Sequence, residues 1–141
     1  MRLFLLSFGL VSSLAYSQCA VALCGAVRTF QDDGKRLALV LNEDDLRAAP
    51  RWEPEQGEPP LSPSKVVEIA RRWAKAKFTR FDDLRVQEIT LAPAWCERSY
   101  WYYFVQLDPV VDGRTLWSNA YSVAVLMDGK VVPLTELKDG F

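Results

Sequence analysis

The stretch Pro63 to Phe78 (PSKVVEIARRWAKAKF) constrains the fold more than any other part of this chain. Ser62 suits the N-cap, Pro63 suits the first helical position, and Leu61 with Val66 fits a hydrophobic staple. At the helical period Val66, Val67, Ile69, Ala70, Trp73, Ala74, Ala76 and Phe78 fall in one arc about 200° wide. Lys65, Glu68, Arg71, Arg72 and Lys75 fill the remainder. A helix of this kind must lie on something flat and apolar, most simply a β-sheet, with Trp73 at the centre of the buried face.

The strands to build that sheet are readable. Lys35 to Leu41 alternates, with Leu37, Leu39 and Leu41 on one face, and Gln31-Asp32-Asp33-Gly34 ahead of it reads as a turn. A short earlier strand at 26–30 would pair with it as a hairpin. Asn42 fits a cap for a helical turn through Glu43-Asp44-Asp45-Leu46. Val86 to Leu91 is a further strand. Ser99 to Leu107 (SYWYYFVQL) is the strongest, with Trp101, Tyr103, Val105 and Leu107 on one face and Tyr100, Tyr102 and Phe104 on the other. Ala120 to Met127 follows, Asp128-Gly129 signals a two-residue hairpin, and the chain returns through Lys130-Val131-Val132. Pro133 marks that last strand as short or as an edge.

Between the first strand and the helix, residues 48–63 hold five of the eight prolines. Proline fixes φ and lacks the amide donor, so this is extended loop, neither strand nor helix; its length suits a functional loop, and a strap packed over the core by Trp52 and Leu61 is the competing reading. The order β-α-β-β-β-β gives an α+β fold in which one amphipathic helix packs on a four- to five-stranded antiparallel sheet. The other sheet face is expected to be partly open or covered by the strap.

The N-terminus reads as an address. Arg2 is a positive n-region, Leu3 to Val11 is apolar, and Ser12 to Ser17 is more polar. Ala15-Tyr16-Ser17 places small residues for a cut before Gln18, which makes 1–17 a secretory signal peptide, 18–34 an N-terminal segment and 35–141 one α+β domain. Ala20-Val21-Ala22 offers a second cut, before Leu23. The competing reading is an uncleaved membrane anchor, because no charge falls between Leu3 and Val27. A lipoprotein fits poorly, since Gln18 and Leu23, the residues before Cys19 and Cys24, are not small.

Export permits disulfides. A cut before Leu23 leaves Cys24 and Cys96 as a possible pair; a cut before Gln18 leaves three cysteines. Cys19 and Cys24 as plain apolar residues of the export segment is the other reading.

Composition removes several activities. The chain has no histidine, so no Ser-His-Asp or Cys-His device forms and no His-based zinc or haem site exists. A net charge of −1 gives no bulk case for nucleic acid or for a membrane surface. Membrane association follows only if the N-terminal segment stays uncleaved. No phosphate-cradling glycine loop, metal-ligand spacing or cofactor motif is present.

A helix on an antiparallel meander over roughly residues 35–135 resembles the cystatin-like layout and is similar to small exported PepSY-type domains. The resemblance rests on element order. Cystatins carry a Gln-x-Val-x-Gly hairpin, which Val86-Gln87-Glu88-Ile89 does not match, so protease inhibition is not implied. PPLSPSKVVEIA before the helix and VLMDGKVV near the end resemble small exported bacterial proteins, which implies a compartment and no particular activity.

Three features carry functional expectations. Tyr100, Tyr102 and Phe104, with Trp52 and further with Trp95 and Trp117, form a candidate aromatic platform for a protein or glycan; core packing is the competing reading. Arg71, Arg72 and Lys75 form a basic helix face. Residues 65–85 carry seven basic and three acidic side chains, whereas 32–58 carry eight acidic and four basic; a solvated, loosely paired face competes with binding of an anionic polymer. The adjacent pairs Asp44-Asp45 and Asp82-Asp83 suit caps and turns better than catalysis, which needs carboxylates across a cleft. The expectation is an exported, non-catalytic binding domain for a protein or an envelope polymer. The alternatives are a membrane-anchored structural module held by residues 3–27, and a hydrolase using carboxylates alone.

Overall fold

The structure, a computed structural model, describes residues 26–138. The elements are β1 (Ala26–Asp32), β2 (Lys35–Val40), α1 (Glu43–Ala48), α2 (Pro63–Lys77), β3 (Asp83–Pro93), β4 (Trp101–Val111), β5 (Arg114–Thr115), β6 (Val123–Leu126), β7 (Val131–Pro133) and β8 (Thr135–Glu136). The fold is α+β, and it is built on two antiparallel sheets. One has the order β1-β2-β8; the other has the order β3-β4-β6-β7, with β5 paired to β4. The expected signal peptide 1–17, the anchor reading of 3–27 up to residue 25, and both candidate cleavage sites lie outside the described residues.

Several local expectations correspond to elements. The β1–β2 hairpin turns through Asp33 (φ 45°) and Gly34 (φ 74°), the pair of left-handed residues that a tight two-residue hairpin requires. Asn42 accepts from the Asp44 amide at 2.8 Å and starts α1. Ser62 caps α2 through the Lys65 amide, with Pro63 at the first helical position.

The helix meets the five-stranded sheet on a narrower stripe than its arc of apolar residues suggests. Val66, Ala70 and Ala74 are buried, while Val67, Ile69 and Trp73 are partly covered and Ala76 is exposed. Residues four apart repeat on the helix, and small side chains at Ala70 and Ala74 let it approach the sheet closely. Trp73 therefore flanks the contact and does not occupy its centre; its ring meets Phe78 edge-on at 5.6 Å.

The first hairpin departs most from the one-sheet layout. It does not join the sheet under the helix. It forms a second layer with β8, on the opposite face of β4. Phe30 of β1 stacks on Phe104 at 5.4 Å, and Arg28 lies over the same ring. Tyr103, which faces the other way, donates its hydroxyl to the Leu61 carbonyl at 2.8 Å, next to the start of α2. The proline-rich strap thus lies on the helix side. Trp52 packs edge-on to Trp101, and its amide donates to Ser99. Leu134 joins β7 to β8 and carries the chain from one sheet to the other.

Two strands also run further than the pattern suggests. β3 absorbs an extra residue as a bulge between Val86 and Glu88, which breaks its alternation. β4 continues through Pro109. The Pro109 carbonyl accepts from Leu116 at 2.8 Å on the side away from β3. In an antiparallel strand the amide of a residue shares the side of its carbonyl, so the missing N–H faces the region where pairing to β6 has already stopped at Val105. The return to β7 is a longer connection than two residues, since the last pair is Val125 with Val131.

Because both faces of β4 are buried, its side chains should differ in cost by how much they fill. Phe104→Ala removes the ring between β1 and the sheet and is expected to cost about 3–5 kcal/mol. Tyr103→Phe loses one hydrogen bond and is expected to cost about 1 kcal/mol. Urea unfolding midpoints with unchanged slopes check both.

Candidate functional site

The four residues expected as an aromatic platform do not form one. Tyr100, Tyr102, Phe104 and Trp52 are between 1% and 7% exposed and belong to the core. For Tyr102 and Phe104 the physical reason is the second sheet, which covers the face that the one-sheet layout left open, whereas Trp52 packs against Trp101 on the helix side. Tyr100 is held from outside by Arg51, whose guanidinium lies 5.0 Å above its ring and whose Nε donates to its hydroxyl.

The basic helix face is exposed, and most of it is paired. Arg71 meets Asp83 at 3.1 Å, Lys75 approaches the same carboxylate at 3.9 Å, and Arg72 and Lys65 both pair with Glu68. Arg71, Arg72 and Lys75 line, with Ser64, Val67 and Glu68, an open hollow of about 500 Å³. Burial opposes ionisation of Asp83, but the Leu84 amide, Arg71 and Lys75 together hold its carboxyl below the usual range. Lys65 does the same for Glu68. The charge of the basic segment therefore resolves within it, the helix cations meeting Glu68 and Asp83, whereas the acidic segment also pairs outside itself, as Asp45 does with Lys130.

The other acidic pair candidates have structural employment. Asp82 accepts from the Asp112 amide at 2.7 Å, and Asp45 pairs with Lys130. Among the described residues no group of three or more cysteine, aspartate or glutamate side chains is placed to hold a metal ion. No described helix is long and apolar enough to cross a membrane.

The exposed apolar surface lies elsewhere. Leu116 is 46% and Trp117 is 74% exposed. They follow β5, after the Asp112-Gly113 turn. Leu116 shares a hollow of about 460 Å³ with Val111, Asp112 and Arg114. The backbone around Trp117 is pinned on both sides. Leu116 N–H donates to the Pro109 carbonyl, Ser118 Oγ donates to Asp32 at 3.0 Å, and the Ala120 amide donates to Ser118 Oγ. Trp95, in the β3–β4 loop, is also largely exposed. Its neighbour Cys96 is disulfide-bonded; the chain's other cysteines, Cys19 and Cys24, lie outside the described residues.

Sequence reasoning named Trp117 only as an addition to the platform and missed its neighbours. The available signal was an apolar Leu-Trp pair in a loop, between an Asp-Gly turn and Ser118-Asn119.

Comparison of the chain with protein-family models, with curated proteins and with solved structures found no match.

The Asp83 contacts have a pH signature. A carboxyl held below its unfolded value contributes stability above the ordinary carboxylate range and loses it as pH falls through the lower, folded value. Asp83→Asn is expected to cost under about 1 kcal/mol near neutrality, because the group is partly solvated. The difference from wild type should shrink towards zero as pH falls through the lowered folded value of Asp83, as followed by thermal melts across the acid range.

Proposed function

We propose that the protein is an exported, non-catalytic binding domain, and that it takes an envelope glycan on the surface formed by Trp117, Leu116, Asp112 and Arg114. The observation that carries this reading is a large indole left in water on a backbone that is held on both sides. Leaving an aromatic ring of this size exposed forgoes on the order of 2 kcal/mol of burial. A pinned loop keeps the ring presented, so binding costs little ordering entropy. A flat ring suits the apolar face of a sugar, and the Asp112 carboxylate and Arg114 guanidinium, in the hollow beside Leu116, suit its hydroxyls.

The absence of histidine and the structural use of Asp45, Asp82 and Asp83 favour binding over a carboxylate-only hydrolase. Export rests on the layout of residues 1–17 and is supported by the disulfide at Cys96, since such bonds persist in oxidising compartments. The likeness to cystatin-like and PepSY-type domains rests on element order and contributes only the compartment.

Cys24 is our choice as the partner of Cys96. Phe30 lies over Phe104 and Asp32 reaches Ser118, so β1 runs in the direction of β4, and its first residue points back towards the loop that carries Cys96. Cys24 stands two residues before Ala26, and Cys19 stands seven before it.

Two measurements test these proposals. Titration of the mature protein with soluble envelope glycan fragments, followed by tryptophan fluorescence and calorimetry, should give saturable binding that Trp117→Ala weakens at least about tenfold, or roughly 1.4 kcal/mol. Equal binding by the variant, or none by wild type, removes the glycan reading. Peptide mapping without reductant should yield a Cys24–Cys96 linked peptide; a Cys19–Cys96 peptide overturns the pairing.

A further inference from the structure

Asp108 sits on β4, on the face that the second sheet covers, and is 0% exposed. Neither of its carboxylate oxygens makes a hydrogen bond of good geometry. Ser122, also buried and with an unpartnered hydroxyl, stands one residue before Val123, whose β4 partner Val105 lies three residues before Asp108. An ionised carboxylate in such a place is costly unless it is paired, and the ordinary resolution is to keep the proton.

The groups that could pair with it are turned elsewhere. Arg85 of β3 stands directly opposite Asp108 in the antiparallel register, yet its side chain is exposed and makes no ion pair. Asp32 of β1 approaches from the second sheet and accepts from Ser118 Oγ. It is a second acid, and the guanidinium of Arg28 on the same strand lies over the Phe104 ring. Lys35, across the hairpin from Asp32, is committed to Glu136. Asp83, two positions along β3, is committed to Arg71 and Lys75. Burial pushes the Asp108 carboxyl above its usual range, and the nearby Ser118 amide and Gln106 side chain offset this only in part.

We propose that Asp108 is a proton-operated latch between the two sheets: the β1–β2–β8 layer docks tightly on the five-stranded sheet while Asp108 is protonated, and loosens when it ionises. Ser118 is the hinge of this arrangement, because its hydroxyl holds β1 and its amide faces Asp108. On ionisation the carboxylate gains by reaching water or Arg85 at the sheet margin, and either movement disturbs the segment that holds Asp32. The sign follows from linkage. A carboxyl whose folded value is raised adds stability below its unfolded value and loses it as pH rises through the folded one.

Thermal melts of wild type and Asp108→Asn from pH 4 to pH 8.5 test this. Asparagine keeps the shape and removes the charge. The variant is expected to melt about 3 °C or more above wild type at pH 8.5, with the gap closing towards pH 4. A gap that is constant with pH, or a variant less stable than wild type at pH 8.5, overturns the latch. A second measurement needs no variant. Amide exchange of wild type, corrected for the intrinsic pH dependence of exchange, should show β1 and β2 gaining at least about threefold in protection, relative to β4 and β6, between pH 8.5 and pH 5. Equal protection ratios at the two pH values also overturn it.

Discussion

The structure depends on burying β4 from both sides. Its eleven residues alternate Trp101, Tyr103, Val105 and Leu107 towards the helix with Tyr102, Phe104 and Asp108 towards the second sheet. A strand with large side chains on both faces cannot sit at the surface of a one-layer sheet without leaving one row in water. The helix alone satisfies half of the strand. The β1–β2–β8 layer satisfies the rest, and the stack of Phe30 on Phe104 fixes where it lies.

That double coverage governs what is left for function. Aromatic side chains on β4 are consumed by packing, so the large apolar side chains left exposed, Trp95, Leu116 and Trp117, lie outside it, beyond β3 and β5. Trp117 lies in a loop held by the Pro109 carbonyl on one side and by Asp32 on the other. The same coverage closes Asp108 away from solvent, and the Ser118 bond that steadies the tryptophan loop also joins the two sheets. Presentation of the exposed ring and docking of the second sheet thus share one residue.

Local signals in the sequence were reliable where the chemistry is local. Ser62, Asn42 and Asp33-Gly34 act through atoms two or three residues away, so their roles follow from the chain itself. The bulge at Val86–Glu88 and the passage of β4 through Pro109 were not legible, because each depends on what the neighbouring strand does. Arg71, Arg72 and Lys75 could be placed on an outward helix face, and the i,i+4 pair of Arg72 with Glu68 is local to α2, but the pairing of Arg71 and Lys75 with Asp83 needs β3 beside the helix. The aromatic platform failed for a related reason. Alternation tells which side chains share a face and is silent on whether another layer covers it.

The sequence by itself determined the helix, its caps, the first hairpin turn, the antiparallel α+β class and the lack of histidine chemistry. These are properties of residue type and spacing. Only the tertiary structure decided that the strands divide between two sheets, that Asp108 lies between them, and that Trp117 stays in water. Each of these depends on contacts between residues far apart in the chain. Hydrophobic burial is non-directional, so an apolar face can be satisfied by any layer that fits, and the choice among layers is made by packing of the whole domain.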